Sequence, residues 1–453
     1  MDMTENDSAF VDLRFEGAYG WGDLTARASW RSVEHEMNFL DDKGGSAGGG
    51  MPMNSEGQDL SAALSANFPL RNGGEFRAGL EAFRTDLDDW WPPVAGSAMM
   101  GPQTYWNIAD GRRDRTAAWG EWQARPSSQW TTLLGLRLER VETDAGPVQP
   151  YSWSGMMNAA DAAAALAFNA RSRGRSDDNL DLTARATWRP NAATTVEFGY
   201  ARKTRTPNLY ERYAWGVGAM SSSMTSFAGD GNGYVGDPDL EPEVAHHLAA
   251  TVTFASRDGM DHLTVTAYQS EVDGFIDAVK LGDLPRGFVQ LQFANVDARI
   301  RGFDATGRKH LWDSQALGHG TLRGTVAWVE GENLDSGDHL YHMPPLSLRL
   351  GVDQAKGGWF NSAEVELVGE KSEVNALRRE QATDAYTLFH LRTSWTGGRV
   401  RVDLAAENLF DTAYALPLGG VSYGDYRADG YSGAIRPLPG PGRSINLGLT
   451  VSF

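Results

Sequence analysis

Cysteine is absent from the 453 residues, which excludes disulfides and thiolate metal sites within them. Long apolar runs are absent too. Mean hydropathy is −0.41, and no stretch approaches the roughly eighteen apolar residues of a membrane helix. A helical membrane protein is therefore excluded. Basic charge is scarce, with 41 Lys and Arg against 59 Asp and Glu and a net charge of −18. Nucleic acid binding requires the opposite balance and is not expected. The acidic excess suits solubility and assembly, with cation attraction as the sharper reading. No nucleophile and base arrangement stands out, so the chain is not expected to be an enzyme. The opening MDMTENDSAF has neither a basic n-region nor an apolar h-region, so no signal peptide is read there.

What is present is alternation. In the closing stretch RSINLGLTVSF, Ile445, Leu447, Leu449, Val451 and Phe453 share one face, and Ser444, Asn446, Gly448, Thr450 and Ser452 share the other. Its length matches the roughly 9 to 11 residues a tilted strand needs to cross a bilayer. Similar segments recur along the chain. Val11, Leu13 and Phe15 alternate with Asp12, Arg14 and Glu16; Leu24, Ala26, Ala28 and Trp30 alternate with Thr25, Arg27 and Ser29. Leu180, Leu182, Ala184, Ala186 and Trp188 repeat the pattern.

The strand candidates come in pairs joined by short turns, at Gly20 to Gly22, Arg71 to Gly74, the PSSQ segment, Pro190 to Ala193, Arg257 to Asp261, Asp313 to Gly320, Lys356 to Gly358 and Thr396 to Gly398. Long segments separate the pairs, among them Asn38 to Gly57 and Trp90 to Arg112, and the longest ends near Glu241. About seventeen strands are expected. Alternating short turns and long loops are the asymmetry of an outer-membrane barrel. The fold class read from this is all-β, an antiparallel transmembrane β-barrel whose surroundings are outer-membrane lipid. Counting back from Phe453 starts the first strand outside, whereas a complete bacterial barrel has an even strand number and both termini in the periplasm. Missing N-terminal strands are therefore expected.

Four ordered motifs carry a family likeness. RKTRTPNLYERY at Arg202 to Tyr213, GNGYVGDPDLEPE at Gly231 to Glu243, ENLFD at Glu407 to Asp411 and the closing strand together resemble TonB-dependent outer-membrane receptors. The resemblance spans the chain and implies one β-barrel domain over residues 1–453, N-terminally incomplete. It implies a barrel of twenty-two strands filled by a plug, with the plug, its TonB-contacting box and about five strands not in this chain. Coupling to the TonB system would run through that plug. Pro207, Asn208, Pro238 and Pro242 are read as residues that shape the loop, because proline lacks an amide and asparagine closes local turns.

Within the family, DDWWPPVAGSAMMGPQTYWNIADGRRDR and YARKTRTPNLYERYAW are most similar to the TonB-dependent copper receptors. His35-Glu36-Met37 resembles the His-x-Met pair those receptors contribute from the barrel wall. Residues 35 and 37 of a strand project to one face, and imidazole and thioether both suit copper, the thioether favouring Cu(I). Of 13 methionines, Met37, Met51, Met53, Met99, Met100, Met156, Met157, Met220, Met224 and Met343 fall in or beside the long loops. Met99 and Met100 join His35 and Met37 as candidate metal residues. The family site is completed by a plug Cys and Met, neither present here. The alternatives are a receptor for a siderophore or other metal chelate, with Trp90, Trp91, Tyr105 and Trp106 gripping the ligand, and a passive plugless pore. Asp230-Gly-Asn232 begins like a calcium loop but places Tyr234 at the next ligand position, so it is read as a turn. Asp88 and Asp89 are read as solvated loop acids.

Overall fold

Alternating side chains give each strand a face for lipid and a face for the interior. The computed structural model describes residues 2–39, 50–71, 73–225 and 227–453. It contains an 18-stranded sheet. The strands are β1 (Asp2–Tyr19), β2 (Gly22–Asn38), β3 (Met53–Pro69), β4 (Glu75–Trp91), β5 (Tyr105–Ala124), β6 (Trp130–Asp144), β7 (Arg175–Asn191), β8 (Thr194–Arg205) and β9 (Gly233–Val235). They continue with β10 (Glu243–Ala255), β11 (His262–Asp283), β12 (Val289–Ser314), β13 (Gly318–Asn333), β14 (Ser347–Lys356), β15 (Trp359–Val368), β16 (Tyr386–Gly397), β17 (Val400–Glu407) and β18 (Ser444–Val451). Among the described residues four α-helices lie in the long connections: α1 (Ala159–Ala170), α2 (Leu209–Tyr213), α3 (Ala219–Met224) and α4 (Tyr423–Ala428).

Each long strand pairs antiparallel with the next, β8 passing directly to β10. The exception is the three-residue β9, which lies inside the longest loop and pairs parallel with β12. The other strands agree with the expected count. Among the described residues β1 and β18 each have one laddered neighbour. The short turns gather at one end and the long connections at the other, as in outer-membrane barrels. Gly318 shows why a tight turn needs glycine. Its φ is +72°, and a Cβ there would lie 2.1 Å from the Ala355 carbonyl oxygen.

The register fixes the two faces. Trp30 stands opposite Val11 on one side and Leu60 on the other. Leu80 at 60%, Leu138 at 55% and Leu447 at 77% exposure have no protein to pack against and form the lipid face. The inner face is polar. Arg137 donates to Glu81 and Glu139, and Arg392 grips Glu407 through two nitrogens. Inward charge pairs with inward charge, so the wall needs no apolar core.

Two boundaries differ from the sequence reading. β4 runs to Trp91 and β5 resumes at Tyr105, so only residues 92–104 connect them. Likewise β3 already begins at Met53. Beyond the bilayer both faces of a strand meet protein or water, so the alternation fades while the hydrogen-bond ladder continues.

At that outer end the lipid-side face carries an acidic row. Asp7 stands opposite Glu34, Glu34 opposite Glu56, and Glu56 opposite Asp88. Directly opposed like charges are destabilising. Replacing Glu56 with Gln is expected to stabilise the detergent-folded barrel at low ionic strength by no more than about 1 kcal/mol, read as a higher urea midpoint. High salt should erase the gain. An unchanged low-salt midpoint would show that the row carries no repulsion.

Candidate functional site

The site is built from the wall upward. Thr25, Arg27 and Ser29 face inward on β2, and the same parity carries His35 and Met37 inward at its outer end. Both are half-buried. Met37 stands opposite Met3 on β1 and opposite Met53 on β3. Opposed residues share a face with Cβ atoms on the order of 5 Å apart, so Met37 and Met53 stand side by side, and Met3, 61% exposed and just past a register shift between residues 3 and 5, ends the row. His35 lies one inward position below, opposite Asn6 and Ser55, and its Nδ1 is 3.2 Å from Asn6 Oδ1.

Beside this row the strands pass into a cap. Trp91 stacks on Tyr105 at 4.2 Å and 6°, and Tyr105 stacks on Trp215 at 4.7 Å and 9°. Tyr151, Ile108, Leu209, Tyr213, Met100 and Met224 complete a buried cluster drawn from three long connections. Met51, Met53, Met99 and Met220 pack against it. Methionine suits such an irregular junction because it is unbranched and polarisable and makes favourable contacts with rings.

The mid-barrel motif holds this cap in place. Pro207 leads out of β8, and Asn208 caps α2 in a reciprocal box: its side chain accepts from the Glu211 amide, and Glu211 accepts from the Asn208 amide. Arg205 grips Glu243 with two nitrogens and also donates to Glu211. Arg212 is fully buried and donates to Thr143 Oγ1, Asp177 and the Leu240 carbonyl. The Asp230 turn is satisfied internally, its carboxylate accepting from the Asn232 amide, Asn232 Nδ2 and the Tyr234 hydroxyl. It is a structural turn, as its sequence suggested. Arg378 reaches the same turn from another connection, lying over the Tyr234 and Tyr341 rings and ion-paired with Asp277 at 2.7 Å.

The candidate residues therefore fall into two groups. His35 and Met37 sit together on the wall. Met99 and Met100 lie in the 92–104 connection, where the Ser97 hydroxyl accepts from both amides. Met100 is 4% exposed and sealed in the cluster. Met99 lines a cavity of about 510 Å³ with Met220, Arg286 and Phe288. Met53 joins the groups, because it opposes Met37 and also packs on the cluster.

Two readings of the sequence need correction. Asp89 is not a loop acid: it is 4% exposed on β4 and accepts from Trp91 Nε1 and Asn107 Nδ2. Nor can Trp91 and Tyr105 grip a ligand, since both are fully buried. What sequence reasoning missed was Met53 beside Met37. The pairing of Trp30 with Leu60, both lipid-facing, sets this register, since seven residues further out on each strand lie Met37 and Met53. Among the described residues no group of three or more His, Asp or Glu side chains could hold a metal.

The sequence profile for the TonB dependent receptor-like β-barrel matches residues 1–409. No curated protein sequence matches the chain. Solved structures do. The copper transporter OprC shares 19% identity at a TM-score of 0.78 over 100% of this chain and 66% of its own. The ferric enterobactin receptor PfeA of Pseudomonas aeruginosa shares 14% at 0.65, over 99% of this chain and 62% of its own. The siderophore receptor PiuA of Acinetobacter baumannii shares 13% at 0.66, over 98% and 64%. The chain thus spans just under two thirds of the length of these proteins.

Asp161 on α1 gives the cap a pH dependence. Its Oδ1 accepts from the Val217 and Gly218 amides and the Ser221 hydroxyl. Burial nonetheless pushes its carboxyl above the usual range, the three donors opposing. A folded value above the unfolded one means stability that is full below the unfolded pKa, near 4, and declines as pH rises through the folded one. Intrinsic-rate-corrected hydrogen exchange at Val217 and Gly218 should therefore quicken from about pH 4 towards neutrality. Asp161→Asn keeps an acceptor without the charge and should flatten the profile. Equal profiles in both proteins would refute this origin.

Proposed function

This chain belongs to the TonB-dependent receptor β-barrel family, and from that premise we propose that it is the barrel of an outer-membrane receptor for copper ions. The family implies the Gram-negative outer membrane and a transport role. The observation that carries copper is the alignment of Met3, Met37 and Met53 on the inner wall, with His35 one position below. Imidazole and thioether both suit copper, and the soft thioether favours Cu(I). His35 Nδ1 faces Asn6 Oδ1 at 3.2 Å, a contact that would orient the ring and leave Nε2 for the metal. Metal-binding histidines are commonly oriented by such a partner.

In this reading His35 and Met37 are barrel-side ligands, Met99 offers a thioether to copper arriving through the loops, and Met100 fixes the segment that presents it. In a whole receptor a plug would complete the site, and TonB acting on the plug would release the ion inward. The likeness to OprC supports copper, but only at the level of fold.

A second reading, a siderophore or other metal chelate as ligand, draws on the likeness to PfeA and PiuA. Burial takes Trp91 and Tyr105 from its aromatic grip and leaves Trp90 and Trp106, half-buried against each other. Competition titration of the folded full chain with Cu(I), and with Ag(I) as a soft analogue, separates the readings. His35→Ala and Met37→Leu are each expected to weaken binding at least about tenfold, or 1.4 kcal/mol. Unchanged stoichiometry and affinity in both variants would overturn the copper site. Binding of a metal-free catecholate would favour the chelate reading.

A further inference from the structure

The cavity of about 510 Å³ beside Met99 is far roomier than a metal ion needs. Met99, Met220, Leu284, Pro285 and Phe288 make most of its wall apolar. Arg286 is the one charged side chain among the described residues that line it, and no acid or imidazole joins it there. Arg286 lies at the tip of the β11–β12 pair, strands of 22 and 26 residues against the roughly 9 to 11 that cross a bilayer. The tip therefore stands in water above the membrane, and whatever fills the cavity comes from solution.

The arginine is held in place but left unsatisfied. Its backbone is left-handed, with φ +67°, a conformation that persists in a residue with a side chain only where its surroundings impose it. The Tyr426 hydroxyl does so by donating to the Arg286 carbonyl at 2.6 Å. The guanidinium lies over the Tyr431 ring at 4.2 Å, which covers one flat face and leaves the N–H edge. Among the described residues that edge meets no carboxylate and no hydrogen-bond acceptor. A second guanidinium reaches the same turn from the 369–385 connection. Arg379, also left-handed at φ +57°, lies against Gly287, where a Cβ would stand 2.7 Å from its Nη1. The acids of these connections are turned elsewhere: Asp283 pairs with Lys280 at 2.7 Å, Glu380 pairs with Lys371, and Asp425 accepts from the Ser422 hydroxyl.

We infer that this cavity binds a soluble organic anion, with its apolar body against Met99, Met220 and Phe288 and its carboxylate or phosphate on the N–H edge of Arg286. The guanidinium fork matches either head through two parallel hydrogen bonds, and Arg379 adds positive charge at the same turn. The volume falls within the range of small-molecule sites, which are mostly apolar with few polar groups to fix orientation. Thioethers adapt to bodies of different shape. The inference does not rest on the copper reading, and His35 and Met37 on the wall take no part in it.

Isothermal titration of the folded full chain in non-ionic detergent tests this with phenyl phosphate, with inorganic phosphate as the head alone and phenol as the body alone, each corrected for titration into detergent. Phenyl phosphate is expected to bind saturably, one per chain, and more tightly than either fragment. Arg286→Gln should weaken it at least about tenfold, as expected for loss of a hydrogen bond to a charged group. Met220→Trp, which fills the cavity, should weaken phenyl phosphate and leave inorganic phosphate unchanged. His35→Ala should bind phenyl phosphate as the wild type does, whatever becomes of copper. Folding of each variant is checked by heat-modifiable electrophoretic mobility. Absence of saturable binding, equal affinity for phenol, full affinity in folded Arg286→Gln, or loss of phenyl phosphate in His35→Ala would each overturn the assignment. If Met220→Trp does not fold, the Arg286→Gln affinity decides.

Discussion

A bilayer interior offers no hydrogen bond to a peptide group, and everything in this chain answers to that constraint. Each amide crossing the hydrocarbon must find its partner on a neighbouring strand. This is why the long strands pair in sequence order, antiparallel, with close turns at one end. Once the ladder is fixed, side chains have only two directions, lipid or interior, and chemistry is confined to the second. The Met3, Met37 and Met53 row is a product of that geometry: three residues distant in sequence become neighbours because the ladder leaves them nowhere else to be.

The part of the fold governed by the bilayer was legible in the sequence. Ile445 to Phe453 and Leu180 to Trp188 announce their strands, and Gly20 to Gly22 and Lys356 to Gly358 their turns, since lipid on one side and polar interior on the other force strict alternation. Above the membrane that force is gone. Trp90, Trp91 and Tyr105 read as loop aromatics because nothing local says that they continue a strand, and Asp89 reads as exposed because its partners, Trp91 and Asn107, are fixed only by the fold. The three-residue β9 has no signal of its own and exists because the loop around it folds back on β12.

The candidate site was half legible. His35 and Met37 could be paired from their spacing, which a strand turns into a shared face. Met53 could not be added without the register. The difference between Met99, facing a cavity, and Met100, sealed in the cluster, depends on Ser97 and on rings from distant connections. In the Arg202 to Tyr213 motif, Asn208 was read as a residue that shapes the loop, and it caps α2. The charged residues of the motif are consumed by one another and by the strands around them, Arg205 by Glu243 and Glu211, Arg212 by Thr143 and Asp177.

The stack of Trp91, Tyr105 and Trp215 belongs to β4, β5 and the 206–242 connection at once, with Tyr151 joining from a fourth segment. Loops that share a core do not have separate fates. The three connections over this side of the wall share one core, so moving any one of them unstacks rings that the other two hold in place.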